Sequence, residues 1–217
     1  QRQMCIRDRY ENFNMMQQEL PLLVVATRNA HKTGEIRAML AGKWEVRDLS
    51  DYPQAPPVEE TGVTFTENAT LKAVSASKCI PGIVLADDSG LEVDVLGGRP
   101  GVWSSSFGGE EGNHERNNRR MLEELRKAGV RPGDKPAARF RCVMVLARED
   151  AVLAEFSGSV EGHMLTELTG EGGFGYDPLF VPEGYGQSFA QLPMEVKNSM
   201  SHRGRALAQV VEWMRRA

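Results

Sequence analysis

Leu22-Leu23-Val24-Val25-Ala26-Thr27-Arg28-Asn29-Ala30-His31-Lys32 is the stretch that decides the fold. Its first five residues form a short apolar, valine-rich run, the pattern of a strand buried on both faces. Polar Thr27, Arg28 and Asn29 follow, and Ile36, Met39 and Leu40 then recur at helical spacing before Gly42. A strand, a polar loop and a helix in immediate succession mark the chain as α/β.

Working outward, a second strand is expected over Trp44 to Leu49, followed by a proline-rich loop (Pro53, Pro56, Pro57) that carries Glu59 and Glu60. Thr64-x-x-Glu67 has the form of a capping box. It opens a helix with Ala69, Ala73, Val74 and Ala76 inside, ended by Pro81-Gly82. Ile83 to Ala86 reads as another buried strand, running into Asp87-Asp88-Ser89-Gly90. Beyond a Gly/Ser-rich loop from Gly97 to Gly112, a helix is predicted from Asn113 to Ala128, with Gly129 as its stop. Alternation from Phe140 to Leu146 marks a strand, Val152 to Val160 its partner, and Leu207, Val210, Val211 and Met214 the inner side of a last helix. No repeat or linker divides residues 20–217, which are expected to form a single domain. The polar segment 1–19 is expected to be a leader outside it, with Met15 or Met16 as plausible starts.

Composition narrows the function. With 26 Lys and Arg against 30 Asp and Glu, the net charge of −4 argues against a protein that wraps polymeric nucleic acid, which needs a basic face. A small anionic ligand held by a few local cations remains compatible. Cys5, Cys79 and Cys142 have no paired spacing and point to a reducing compartment, hence a cytoplasmic protein. No apolar run approaches the roughly 20 residues of a membrane span.

Chemistry concentrates in a few polar clusters at expected strand ends or in glycine-rich loops, where open α/β sheets place ligands. Thr27 to Lys32 precedes a helix, whose free N–H groups and dipole favour an anion; a solvated loop is the competing reading. Asp87 and Asp88 are costly to hold together unless they share a cation or proton, and Mg²⁺ takes a few carboxylates beside substrate phosphates. The competing reading has Asp88 or Ser89 capping a turn. In Gly172 to Pro178, glycines around Phe174 and Tyr176 would let a flat ring stack, and Asp177 would accept from a base edge. Lys197 and Ser201-His202-Arg203-Gly204 are placed at the start of the last helix, where they would meet a phosphate or a carbonyl oxygen; the bland alternative is a Ser201 cap. There is no phosphate loop of the G-x-x-x-x-G-K-[ST] form and no nucleophile elbow. Gly170, Gly172 and Gly175 spell a dinucleotide fingerprint outside any βαβ context, a coincidence.

Together, Ala26 to Lys32, Glu59 to Gly62 with Glu67 to Ala69 and Lys72, Ala86 to Gly90, Leu96 to Gly101, Gly173 to Pro178 and Ser201 to Gly204 resemble the inosine triphosphate pyrophosphatase family, the non-canonical purine nucleotide pyrophosphatases. The resemblance runs from about Leu22 to the C-terminus. It implies two α/β lobes around a long central mixed β-sheet with the active-site cleft between them, and a homodimer. The implied reaction is Mg²⁺-dependent hydrolysis of dITP, ITP or XTP to the monophosphate and pyrophosphate. By the same resemblance, Thr27, Arg28, Asn29, Ala30, His31 and Lys32 hold the triphosphate, and Asp88 is proton acceptor and metal ligand. Glu59 is the other metal carboxylate, supported by Asp87 or Glu60, and Ser89 touches substrate. Phe174, Gly175, Tyr176, Asp177, Lys197, His202 and Arg203 surround base and phosphates. Lys32, Lys72 and Lys197 would offset the triphosphate charge, and His202 with Arg203 would donate to a 6-oxo group. Two rivals stand beside this: a pyrophosphatase of different nucleotide specificity, and a nucleotide-binding regulator without catalysis. Turnover of a triphosphate panel separates all three.

Overall fold

The computed structural model describes residues 20–216; the expected leader 1–19 lies outside the described residues. The polypeptide builds, in order, β1 (Leu22–Val25), α1 (Ala30–Met39), β2 (Glu45–Asp48), α2 (Phe65–Ser77), β3 (Val84–Val93), α3 (His114–Lys127), β4 (Ala137–Arg148), β5 (Ala151–Met164), β6 (Phe180–Pro182), α4 (Met194–Met200) and α5 (His202–Met214). The strands form one mixed six-stranded sheet in the order β2-β1-β3-β4-β5-β6. β1 pairs in parallel with β2 and β3, and every later pairing is antiparallel. The α/β expectation with a long mixed central sheet therefore holds.

Period-two alternation divides the core. Val24, Ala26, Val84, Ala86, Val143 and Val145 face Ala69, Ala73 and Ala76 of α2. Their neighbours Leu23, Val25, Leu85, Met144 and Leu146 face Ile36 of α1 and Leu207 and Val210 of α5 on the opposite side. Beyond these, Leu91, Val93, Phe140 and Val160 meet Met121 and Leu125 of α3 together with Leu179, Phe180 and Phe189 in a third cluster. The cleft opens between the first two packed regions and this third one.

Local signals set the helix ends. Thr64 accepts from the Glu67 amide while Glu67 reaches back to the Thr64 amide, so the expected capping box is formed. Asn29, Asn113 and Ser201 cap α1, α3 and α5 with their side chains. Three expectations need correction. Asp87 to Gly90 do not follow a strand end: pairing with β4 continues through Val93, so they lie inside β3. Neither Asp88 nor Ser89 therefore caps a turn. Lys197 belongs to a separate short helix, α4, which Ser201 divides from α5. The segment after Asp177 also adds the three-residue β6 at the sheet edge, too short to leave a periodicity.

Candidate active site

Strand alternation gives Asp87 and Asp88 opposite outlooks. Asp88 shares the α2 face with Ala86. Its Oδ1 accepts from Lys72 Nζ at 3.0 Å and its Oδ2 from Asn68 Nδ2 at 3.4 Å. Lys72 Nζ also donates to Glu60 Oε2 at 3.1 Å. Burial raises the Asp88 pKa above the usual carboxylate value; Lys72 and Lys32 oppose this, and Glu60 adds to it. Burial works against the Lys72 charge in turn, yet Asp88, Asp87 and Glu60 outweigh it and raise its pKa. A buried carboxyl at the edge of a polar cavity, with a raised pKa and held by two side chains, suits a proton acceptor.

Asp87 points the other way. Its Oδ2 lies 3.1 Å from Lys32 Nζ, 3.2 Å from Arg203 Nη2 and 3.4 Å from Ser89 Oγ. Burial alone would raise its pKa, but Lys32 and Arg203 hold it well below the usual range. The side-chain counter-ions of the adjacent carboxylates differ: Lys72 for Asp88, Lys32 and Arg203 for Asp87. Arg203 goes on to donate Nη2 to Ser89 Oγ at 2.9 Å and Nη1 to Glu35. Glu35 Oε1 accepts from Lys197 Nζ at 2.7 Å, and Lys197 donates at 2.6 Å to Asp177 Oδ2. Lys32, Asp87, Arg203, Glu35, Lys197 and Asp177 thereby form a buried chain of alternating charge, in which each ion offsets the desolvation of its neighbours. Burial favours neutral Glu35, yet Arg203 and Lys197 bring its pKa below normal.

Two cavities meet along this chain. One is lined by Phe174, Tyr176, Lys197, His202 and Arg203, the other by Thr27, Arg28, Glu60, Lys72 and Asp88; Asn29, Lys32 and Ser89 line both. The first is aromatic. His202 stacks on Phe140 with centroids 4.9 Å apart, and Tyr176 Oη donates to the Ser104 carbonyl at 2.8 Å. Lys197 Nζ sits 4.9 Å from the Phe174 centroid. His202 Nδ1 and Arg203 Nε are buried without a partner. Burial, then the Arg203 and Lys197 charges, push the His202 pKa well down, so its ring is neutral. Gly173, at φ 71°, is required here: a Cβ would come within 2.8 Å of Asp177 Cγ, and the Phe174 amide donates to Asp177 Oδ2 at 2.7 Å.

The structure gathers most of the sequence-predicted residues and changes the part some of them play. Asn29 takes the His31 and Lys32 amides with its own side chain, so those donors are not free for an anion. Arg28 donates to the Ala55 carbonyl at 2.8 Å, tying this loop to the proline-rich one. His31 stacks on Phe174 at 5.1 Å, and Ala30 is exposed beside it. Lys197 is enclosed by Glu35 and Asp177 on the aromatic side, away from the carboxylate cavity. Asp177, which lines the aromatic cavity, uses Oδ2 on Lys197 and the Phe174 amide and so holds its own loop. Gly175 lines the aromatic cavity, and its carbonyl accepts from Asn118 Nδ2 at 2.9 Å. Glu59 is exposed, and it is Glu60 that lines the carboxylate cavity. Glu35, Asn68 and Asn118 were missed. The one signal for Glu35 is its place beside Ile36 on the inner side of α1, one turn after Lys32.

The family model described as Ham1 family matches residues 23–213. The chain belongs to the Ham1 family. Relatives of this Ham1 chain include a protein of Desulforamulus reducens called dITP/XTP pyrophosphatase, 47% identical over 195 residues, which are 89% of this chain and 96% of the relative. A protein of the same name from Halalkalibacterium halodurans is 43% identical, over 88% of this chain and 97% of its own length. Among solved structures, a HAM1 protein from Coxiella burnetii superposes with a TM-score of 0.79 at 35% identity, covering 91% of this chain and 100% of the other. The Staphylococcus aureus Ham1 protein gives 0.76 at 35% identity, with 89% and 98% covered. The family resemblance carried by the motifs is thereby shown, and so is the fold.

Proposed function

We propose that this Ham1 chain hydrolyses non-canonical purine nucleoside triphosphates (dITP, ITP and XTP) to the monophosphate and pyrophosphate, clearing them before they are misincorporated. The observation that carries the reading is one cleft with two unlike halves: an aromatic half lined by Phe174, Tyr176 and His202 and a carboxylate–lysine half suited to phosphates, with Asp88 in the second. The names of the relatives support it.

In this reading Asp88 takes a proton from a water whose oxygen attacks the α-phosphorus, while the bond to the pyrophosphate oxygen breaks. Lys32 and Lys72 offset the negative charge of the triphosphate, and positioning supplies much of the remaining rate. The donor set fits Mg²⁺: carboxylate oxygens of Asp88 and Glu60 line the same cavity, with Glu59 next to Glu60 on its loop. Among the described residues no group of three or more His, Cys, Asp or Glu could by itself hold a metal ion. Held by Asp88 and that loop, Mg²⁺ would neutralise the phosphates and favour departure of pyrophosphate.

Selectivity follows from the aromatic half. Arg203 Nε and a neutral His202 are the donors left unpaired there, and a 6-oxo group would accept from them. Adenine presents an amino group at that position, leaving buried donors unmet at about 1–3 kcal/mol each. A homodimer and a cytoplasmic setting belong to the same proposal. Family membership supports the first, and the unpaired Cys79 and Cys142 suit the second. No helix among the described residues is long and apolar enough to cross a membrane.

Hydrolysis of ITP in ¹⁸O-labelled water tests the reaction. The label is expected in IMP, with unlabelled pyrophosphate. Label in the released phosphate, or IDP as the product, would contradict attack at the α-phosphorus.

A further inference from the structure

Lys32 lines both halves of the cleft, whereas Arg203 lines only the aromatic one. The two cations meet at a single atom, Asp87 Oδ2, 3.1 Å from Lys32 and 3.2 Å from Arg203. The Asp87 side chain is wholly buried and that of Arg203 almost so, while Lys32 keeps 15% exposure toward the cleft. Of the pair competing for this oxygen, Lys32 is therefore the one that a ligand in the carboxylate half can reach.

An anionic phosphate entering the carboxylate half would compete with Asp87 for Lys32. In surroundings of low dielectric, a carboxylate that loses one of two counter-ions holds the other more strongly. Arg203 is already tied to Ser89 Oγ at 2.9 Å and to Glu35, so a tighter hold from Asp87 fixes the guanidinium plane and with it the direction of the free Nε. An Arg203 fixed in advance loses less freedom when a base docks against it.

We propose that Asp87 is a positioning residue that couples the halves of the cleft, so that filling the phosphate half raises the affinity of the aromatic half for a 6-oxo purine. The assignment of ligands to the halves rests on the function proposed above. Coupling between binding sites is reciprocal and typically amounts to 5–150-fold. A static scaffold, in which Asp87 serves only to neutralise buried cations, would show no coupling.

The experiment measures inosine binding to the wild-type protein in EDTA, with and without saturating inorganic tripolyphosphate. Tripolyphosphate is expected to tighten inosine binding by about fivefold or more. Asp87→Asn, shown by circular dichroism to be folded, is expected to reduce that factor below about twofold. If Asp87→Asn does not fold, Lys32→Gln takes its place, measured at tripolyphosphate concentrations raised to saturation, with the same loss expected. Equal inosine affinity with and without tripolyphosphate in the wild type overturns the proposal, as does full coupling retained in the folded variant. Inosine that fails to bind under either condition overturns it as well, by removing the assignment of the aromatic half. Only binding is read, so absence of coupling leaves the hydrolytic function standing. Failure of the wild type to release pyrophosphate from ITP would instead sink that function without touching the coupling.

Discussion

Asp87 and Asp88 share a backbone, a strand and a residue type, yet they live in opposite electrostatic worlds. Asp88 looks toward α2 into a polar cavity, with Lys72 and Asn68 on its oxygens and its pKa raised by burial. Asp87 looks toward α5 into closed protein, with Lys32 and Arg203 on one oxygen and its pKa held far below normal. The difference teaches that the alternation of a strand, more than the carboxylate itself, decides which acid is kept available for proton transfer and which is fixed as a counter-ion.

The strongest way to break this comparison is to neutralise the partner that lines the cavity. Asp88→Asn is expected to slow pyrophosphate release from ITP by about 10²–10⁴-fold, the range for a lost general base, with KM changed only a few-fold. A steady-state assay that found Asp88→Asn nearly as fast as wild type would assign the proton to another group.

On the buried side the largest effect is on stability. Arg203→Ala leaves Glu35 and Asp87 without their shared cation and is expected to cost about 3–5 kcal/mol, read from the denaturant midpoint. The same variant should narrow the preference for ITP over ATP; an unchanged preference would remove Arg203 from base recognition. Asp87→Asn should lower the melting temperature more than Asp88→Asn does at neutral pH. The sign with pH is fixed by the depressed pKa of Asp87. Its stabilising contribution is present above the unfolded-state value of about 3.9 and fades as pH falls further through the folded-state value. The stability gap between wild type and Asp87→Asn should therefore shrink below about pH 4; a gap that widened there would be incompatible with this account.

Smaller effects sharpen the Asp88 side. Lys72 favours ionised Asp88, so Lys72→Met should move the acid limb of the pH–rate profile to higher pH. Glu60 disfavours it, so Glu60→Gln should move the same limb to lower pH, and by less. Shifts in one direction for both variants would mean that the limb reports some other group.

How much of this was legible beforehand depended on distance along the chain. The buried runs Leu23 to Ala26 and Val84 to Ala86, the Thr64–Glu67 capping box and the helix beginning near Asn113 are local patterns, and the sequence displayed them. The clusters at Thr27 to Lys32 and Ser201 to Arg203 were readable as polar groups beside helix starts. Their partners were not. Glu35 meets Lys197 and Arg203 across 162 and 168 residues, and only the convergence of α1, α4 and α5 brings them together. The continuation of β3 through Asp87 to Gly90 was hidden because its polar residues look like a loop until β4 is laid beside them. Lys197 read as a phosphate-facing cation, since nothing near it in sequence announces Glu35.

The central claim is tested most directly by pyrophosphate release from ITP, XTP, dITP, ATP and GTP, with Mg²⁺ and with EDTA, by wild type and Asp88→Asn. The account predicts Mg²⁺-dependent release from ITP, XTP and dITP, weak release from ATP, and loss of release in the variant. Folded wild-type protein that binds these nucleotides tightly and releases pyrophosphate from none of them would contradict it.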